Sequence, residues 1–136
     1  MTKALILSFF FASAIFLIVD IVWLSITVKS VYRPALGGII RDKPVMWAAV
    51  LFYLIYMIGL AILILKPAID NNSVSQALWT GIIFGIVAYG TYNLTNMATV
   101  KNWSPSIVFI DMIWGGFLTG LSSSLAIYFA KLFSSS

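Results

Sequence analysis

Two aspartates lie inside long apolar stretches of this chain, where a charged side chain is uncommon. They are Asp20, in the sequence DIVW, and Asp111, in the sequence DMIW. A tryptophan follows each of them three residues later, so that Asp and Trp share one face of a helix. Such a carboxylate can accept hydrogen bonds, bind a cation or carry a proton, and it must face protein or water because burial in lipid costs about 2.5–3.5 kcal/mol. The matched sequences also suggest an internal repeat with antiparallel symmetry.

Tyrosines and asparagines at helical spacing offer hydrogen-bond donors to these carboxylates. Tyr53 and Tyr56 are three residues apart and therefore neighbours on a helix. A third apolar stretch carries four polar residues spaced i, i+3, i+4 and i+7, which line one face: Tyr89, Tyr92, Asn93 and Asn96. The candidate ligand-binding residues are therefore Asp20, Trp23, Tyr53, Tyr56, Tyr89, Tyr92, Asn93, Asn96, Asp111 and Trp114.

The composition indicates that these residues lie in a membrane. Of the 136 residues, 62% are hydrophobic and 9% are charged, whereas about 25% are charged in an ordinary soluble domain. Too few charged side chains remain to cover a surface that faces water. The chain has no Cys, His or Glu, which excludes disulfides, thiol nucleophiles, Ser-His triads and the usual zinc and haem ligands. We therefore expect no metal ion and no cofactor.

Four apolar segments are long enough to cross a bilayer, which takes about 20 residues of helix. They cover residues 4–28, 45–65, 76–100 and 105–131. Arg33-Pro34 follows the first segment and Lys66-Pro67 follows the second, as expected where helices end. The sequence therefore predicts an all-α integral membrane protein in which residues 1–136 form a single four-transmembrane-helix bundle. We expect the first segment to be retained as a helix rather than cleaved as a signal peptide, because its apolar run continues to Val28.

These four helices bring the polar residues to one depth. With a rise of about 1.5 Å per residue, Asp20 lies roughly 12 Å from the end of the first segment, and Asp111 lies roughly 9 Å from the start of the fourth. Both ends are on the same side of the membrane, and the tyrosines and asparagines of the second and third segments fall in the same half of the bilayer. No Lys or Arg lies inside a segment, since Lys131 is the last residue of the fourth. Two carboxylates close together in a medium of low dielectric constant favour a proton or a cation as partner.

Loop charges predict the orientation. The loops at 29–44 and 101–104 carry five positive residues, and the other side of the membrane carries three. The positive-inside rule then places these loops in the cytoplasm and both termini outside, in a multi-pass protein of the inner (plasma) membrane. The loop sequence VYRPALGGIIRDK either lies along the membrane interface or is a plain flank of the first helix. A net charge of +4 on such a protein predicts contact with anionic lipid and not with nucleic acid.

Two glycine pairs predict close helix packing. Gly81 and Gly85, and again Gly116 and Gly120, form small-xxx-small patterns. They would join the third and fourth helices or join two subunits. A homodimer fits the small size of the chain, since four helices hardly enclose a path. The expected partners are therefore membrane lipids and, in the second case, another copy of the chain.

The chain resembles a family of small bacterial predicted membrane proteins, domain-of-unknown-function family 2177. The matching pieces are DIVWL at 20–24, Phe52-Tyr53 with Tyr56 and Gly59, GIIFGIVAYGTYNLTNMA at 81–98, Trp103, and DMIWG at 111–115. The resemblance implies a four-helix membrane protein and brings no activity, substrate or cofactor with it. In the family motif we expect Asp at the position of Asn93, so this chain has one carboxylate fewer.

The polar layer leaves three classes of function open. The first is a pocket on the side of the 29–44 and 101–104 loops that binds or transports a proton, a cation or a small solute, with the two aspartates carrying the charge. The second is a membrane-embedded enzyme acting on a lipid or isoprenoid, for which the spacing shows no known catalytic signature. The third is a non-catalytic subunit or assembly factor, in which the polar groups hold the helices together. Whether the protein is an enzyme is left open.

Overall fold

The computed structural model describes residues 2–134 of the chain. Within that range the chain forms helices joined by short turns, and four helical stretches are long and apolar enough to cross a membrane. The predicted all-α membrane fold with four spanning helices is therefore confirmed. Met1, Ser135 and Ser136 belong to the predicted domain of residues 1–136 but lie outside the described residues.

The first span consists of two α-helices joined by a wider turn. Helix α1 (Thr2–Thr27) leads into a π-helical turn (Val28–Tyr32), in which the Arg33 N–H donates to the Val28 carbonyl oxygen, and then into α2 (Arg33–Leu36). A 3-10 turn (Gly37–Ile39) follows, where Gly37 has a φ of 60°. Glycine adopts this left-handed conformation without steric cost. The predicted end of the helix near Val28 is therefore too early, and part of the predicted loop is helical.

The second span has the same construction. Helix α3 (Met46–Leu60) leads into a π-helical turn (Ala61–Leu65), in which the Lys66 N–H donates to the Ala61 carbonyl oxygen, and then into α4 (Lys66–Asp70). This span also continues beyond its predicted end at Leu65. Its basic residue and proline lie inside the helix and do not terminate it.

A proline accounts for each of the two π-helical turns. Pro34 and Pro67 lie in the first turn of α2 and α4, directly after a π-helical turn. A proline ring clashes with the carbonyl group four residues earlier, which belongs to Ser30 in one span and to Leu63 in the other. Both carbonyl groups lie within the π-helical turn, where the wider i→i+5 bonding moves them away from the ring. The helix widens at this point and continues.

The third and fourth spans are uninterrupted helices, α5 (Val74–Thr99) and α6 (Pro105–Ser134). The Ser73 side chain accepts a hydrogen bond from the Gln76 N–H at 3.0 Å and caps the start of α5. The connection at residues 100–104 includes Asn102 with a φ of 65°, a conformation that asparagine tolerates better than most residues. These helices begin and end close to the predicted limits of 76–100 and 105–131.

Glycines let the third and fourth spans pack closely along much of their length. A Cβ atom on Gly81 would lie 2.9 Å from the Cα of Gly120, and one on Gly85 would overlap the carbonyl oxygen of Gly115. Gly116 is buried in the same seam, against the side chain of Ile86. All four glycines of the two predicted patterns therefore lie in the contact between two helices of one chain, the first of the two alternatives.

The second span stands partly away from the bundle. Its π-helical turn (Ala61–Leu65) contacts the first, third and fourth spans, and Leu60 and Ile64 belong to the buried core with Phe16 and Leu118. Helix α3, by contrast, makes its main contact with α1. A cleft therefore opens between α3 and α5 in the half of the bundle that carries the 29–44 and 101–104 loops.

Candidate functional site

Asp20 lies at the meeting point of three spans. Its side chain is buried, with 6% of the residue exposed. The Tyr53 hydroxyl of the second span donates to Oδ2 at 2.5 Å, and Nε1 of Trp114 in the fourth span donates to Oδ1 at 3.1 Å. Each carboxylate oxygen of Asp20 therefore accepts a hydrogen bond from an uncharged side chain of another span.

Asp111 is held in the same way by two different donors. The Tyr32 hydroxyl donates to Oδ1 at 2.7 Å, and Nδ2 of Asn93 donates to Oδ2 at 2.6 Å. Asn93 is fully buried, and its Nδ2 also donates to the backbone carbonyl of Tyr89 at 2.8 Å. The amide therefore has a fixed orientation, which aims its N–H groups at the Asp111 carboxylate.

Two stacked tryptophans connect the carboxylates. The rings of Trp23 and Trp114 lie 4.1 Å apart and are tilted by only 9°. Trp114 donates to Asp20, while Nε1 of Trp23 donates to the Tyr32 hydroxyl at 3.2 Å, which in turn donates to Asp111. Each indole N–H therefore points toward the carboxylate of the other helix, directly in one case and through Tyr32 in the other. This reciprocal arrangement agrees with the repeated Asp-x-x-Trp sequence.

Positive side chains lie outside this layer. In the described part of the chain, the ion pairs join Arg33 to Asp42 at 3.3 Å and Lys66 to Asp70 at 2.8 Å, and all of these residues are at least partly exposed. Neither Asp20 nor Asp111 takes part in an ion pair among the described residues. Hydrogen bonds from uncharged groups therefore stabilise the two carboxylates without neutralising them.

The first of two cavities beside Asp111 occupies the cleft between α3 and α5. Its volume is about 380 Å³. It is lined by Phe52, Tyr56, Ala88, Tyr89, Tyr92 and Asp111. The Tyr56 hydroxyl is hydrogen-bonded to Oγ1 of Thr119 at 2.7 Å, so its ring is fixed in the wall. The cavity is therefore apolar and aromatic, with one carboxylate.

The second cavity lies toward the loops, on the other side of Asp111. Its volume is about 320 Å³. It is lined by Leu24, Val28, Tyr32, Leu36, Ile39, Ile40, Tyr92, Asn93, Trp103, Ile107 and Asp111. Two of these residues have a buried polar atom without a hydrogen-bond partner in the described structure, Oδ1 of Asn93 and Nε1 of Trp103. Buried polar atoms are almost always paired, so this cavity has the character of a site for water or a small polar group.

The structure divides the predicted site residues into two neighbouring groups. Asp20, Trp23, Tyr53 and Trp114 meet between the first, second and fourth spans. Tyr56, Tyr89, Tyr92 and Asp111 surround the first cavity, and Asn93 joins Asp111 to the third span. Asn96 is the exception, because it is only partly buried, lines neither cavity and interacts with Tyr92 rather than with a carboxylate.

Within the described residues, no three His, Cys, Asp or Glu side chains come close enough together to share a metal ion. The groups available to a ligand are carboxylates, phenolic hydroxyls, one amide oxygen, the indole N–H of Trp103 and aromatic rings.

The family affiliation rests on a match over most of the chain. The model of a family described as "Predicted membrane protein (DUF2177)" covers residues 5–128, which include both aspartates and all of their donors. The chain belongs to this family. The resemblance inferred from the sequence motifs is thus confirmed. No curated protein and no solved structure matches the chain.

Two residues of the site in this DUF2177 chain were missed by the sequence analysis. Tyr32 lies nine residues after Trp23, and nine steps of about 100° would place it on the opposite face of an α-helix. The π-helical turn takes up about one extra residue and brings Tyr32 round toward Trp23. Arg33-Pro34 was the signal, because a proline can distort a helix as well as end it. Thr119 follows Asp111 by eight residues, a spacing that keeps both on one stripe of the helix and could have revealed it.

Proposed function

We propose that this protein binds a cation, a proton in the simplest case, at the Asp20–Asp111 pair inside the membrane. The observation that carries the proposal is that each carboxylate accepts two hydrogen bonds from uncharged donors and is in no ion pair among the described residues. A carboxylate at this depth keeps a net negative charge unless a cation or proton joins it. The hydrogen bonds orient the two carboxylates but bring no positive charge, so a bound cation or proton must provide it.

The position of the two cavities supports exchange of this cation with the surroundings. Asp111 lines both cavities, whereas Asp20 is buried and lines neither. Asp111 is therefore the group that a cation reaches first, and Asp20 is the group that is coupled to it through Trp114, Trp23 and Tyr32.

We place the protein in an inner (plasma) membrane, with both termini outside and the 29–44 and 101–104 loops in the cytoplasm. The support is the excess of positive residues in those loops. In this orientation the second cavity and the cleft between α3 and α5 lie in the cytoplasmic half of the bilayer. The pocket then exchanges its cation with the cytoplasmic side.

Infrared difference spectroscopy tests the proposal directly. The protein is reconstituted in lipid, and the carbonyl stretch of protonated carboxyl groups is followed as the pH is raised, in H2O and in D2O. We expect wild type to show a carboxyl band whose intensity changes reversibly with pH or with added monovalent salt. This response should be absent from the double variant Asp20→Asn/Asp111→Asn.

The control is Asp70→Asn, which removes an aspartate that is paired with Lys66 outside the pocket. This variant should leave the band unchanged. The proposal is wrong if both intramembrane carboxylates are ionised throughout and their signals respond neither to pH nor to added monovalent salt.

A further inference from the structure

We infer that the first cavity is a binding site for a small hydrophobic organic cation, such as a quaternary ammonium ion. This inference rests on the proposed function, since it uses the charge of Asp111, and it names the class of cation that the site prefers. The cavity combines aromatic walls, a single carboxylate and a lateral opening between two spans, and each of these three features points to the same ligand.

The aromatic walls provide the surface that an organic cation needs. Rings of Phe52 and Tyr56 lie 5.4 Å apart on α3, and the Tyr56 ring meets Tyr89 of α5 edge to face at 6.2 Å. Tyr92 completes the lining from the next turn of α5. The negative face of an aromatic ring attracts a cation, and aromatic cages of this kind recognise alkylammonium groups. Four aromatic rings therefore line the cavity, and such a lining suits an organic cation better than a polar ligand.

Asp111 selects a positive charge over a neutral molecule of the same shape. It lines the aromatic cavity and is held in place from behind by Tyr32 and Asn93. Each of its oxygens already accepts one hydrogen bond, so a ligand can interact with its negative charge without supplying a further donor. A quaternary ammonium ion carries a positive charge but has no N–H group, and it can therefore pair with Asp111 without donating a hydrogen bond.

The same lining argues against a metal ion. Ions such as Ca²⁺ or Mg²⁺ take about six or more oxygen ligands. The cavity offers one carboxylate and three phenolic hydroxyls, and one of these hydroxyls, that of Tyr56, already bonds Thr119. An organic cation requires no such set of oxygens, because the rings replace part of its hydration.

The size and opening of the cavity fit a ligand of this class. Its volume of about 380 Å³ falls in the range of about 300–1,000 Å³ that is usual for small-molecule sites. Phe52 and Tyr92 are 44% and 57% exposed and lie on opposite sides of the cleft, on α3 and α5. A hydrophobic cation that partitions into the membrane can thus enter sideways between the second and third spans.

Isothermal titration calorimetry with a charged probe and its neutral isostere tests the inference. The purified protein in detergent is titrated with benzyltrimethylammonium and, separately, with neopentylbenzene, which has a carbon in place of the nitrogen. We expect saturable binding of the cation and at least tenfold weaker binding of the neutral compound. The cation should also bind more weakly as the pH is lowered, because a proton on Asp111 competes with it.

Three variants separate the contributions of charge and ring. Asp111→Asn should abolish the preference for the cation. Phe52→Leu keeps an apolar wall but removes a ring, and should weaken cation binding roughly twofold to thirtyfold, the range of single cation–π contacts. Phe109→Leu is the control, because Phe109 is 68% exposed on the fourth span and does not line the cavity. A thermal unfolding curve for each variant shows that it is folded.

Equal affinity for the two probes, binding unaffected by Asp111→Asn, or no binding to folded wild-type protein would each overturn the inference. The infrared experiment distinguishes this failure from failure of the proposed function. A proton that exchanges on the aspartate pair without any binding of benzyltrimethylammonium leaves the proposed function standing and removes only the organic cation.

Discussion

At the scale of single residues, the site is built from negative groups and uncharged donors. Each aspartate accepts two hydrogen bonds. The donors to Asp20 are the hydroxyl of Tyr53 and the indole N–H of Trp114, and the donors to Asp111 are the hydroxyl of Tyr32 and the amide N–H of Asn93. A Lys or Arg in these positions would form a buried ion pair and neutralise the charge. The observed donors fix the geometry of the carboxylates and leave their charge for a ligand.

Tyr32→Phe tests the importance of one of these donors. The substitution removes the hydrogen bond to Asp111 and leaves Nε1 of Trp23 without its acceptor. We expect the free energy of unfolding in detergent to fall by about 1–2 kcal/mol, since two polar groups in a membrane interior lose their partner. Unfolding with increasing sodium dodecyl sulfate, followed by circular dichroism, measures the loss.

Tyr128→Phe is the matched control for this substitution. Tyr128 is 52% exposed on the fourth span, so its hydroxyl can be removed with a change of less than about 0.5 kcal/mol. If the two substitutions have the same effect, the bond between Tyr32 and Asp111 does not contribute to stability.

At this scale, the sequence predicted which residue types meet but not every partner. Helical spacing and depth were sufficient to place Asp20, Asp111 and their donors Tyr53 and Asn93 in one layer, because both depend only on regular helices, but they did not say which donor serves which carboxylate. Tyr32 could not be placed, since its contact depends on a departure from regular spacing. Asn96 was grouped with the site by the same periodicity that found Asn93, but it lies one turn closer to the helix end, where it faces Tyr92.

At the scale of elements, the third and fourth spans form a closely packed pair, and the second span makes fewer contacts. The close packing depends on glycines at the points where the two backbones meet. The loose attachment of α3 creates the cleft that contains the aromatic cavity. The element boundaries that were predicted correctly are those of the uninterrupted helices. Both prolines were interpreted as helix ends, although a proline can also distort a helix that continues past it.

Gly85→Ala tests the packing of this pair. The added Cβ would overlap the Gly115 carbonyl oxygen and lie 2.6 Å from its carbon, so the backbones must separate. We expect a loss of about 1–3 kcal/mol in the free energy of unfolding, as for other overpacked positions. The measurement is the same detergent unfolding.

Gly59→Ala provides the comparison within another span. Its added Cβ would meet Cζ of Phe84 at 3.6 Å, an ordinary contact, so the change in stability should be less than about 0.5 kcal/mol. Equal tolerance of alanine at both positions would contradict the close approach of α5 and α6.

At the scale of the whole molecule, the candidate site lies in one half of the bundle. The carboxylates, both cavities and the basic loops share this half, while the seam between the third and fourth spans extends into the other. The four-span architecture could be predicted from apolar length alone, because the cost of exposing backbone and charge to lipid leaves few alternatives. The cleft could not be predicted in this way, because it depends on the distance between α3 and its neighbouring helices.

Cysteine labelling tests the proposed orientation, and the absence of native Cys makes the labelling specific. Gly38→Cys places a thiol in the 29–44 loop, where an added Cβ meets no other atom within 4 Å, and Asn71→Cys places one in the loop between the second and third spans. In intact cells, a membrane-impermeant maleimide should label Asn71→Cys but not Gly38→Cys. After permeabilisation both should react. The reverse pattern would invert the topology.

The stacked pair of Trp23 and Trp114 has a consequence for observing the protein at work. Two indole rings that lie 4.1 Å apart and almost parallel couple their electronic transitions, so the pair absorbs polarised ultraviolet light differently from isolated tryptophans. One ring belongs to the first span and the other to the fourth, and each is connected by hydrogen bonds to a carboxylate. Any movement that separates these spans reduces the coupling. The Trp23–Trp114 pair is thus an intrinsic spectroscopic probe of conformation, and near-ultraviolet circular dichroism can follow it without a label.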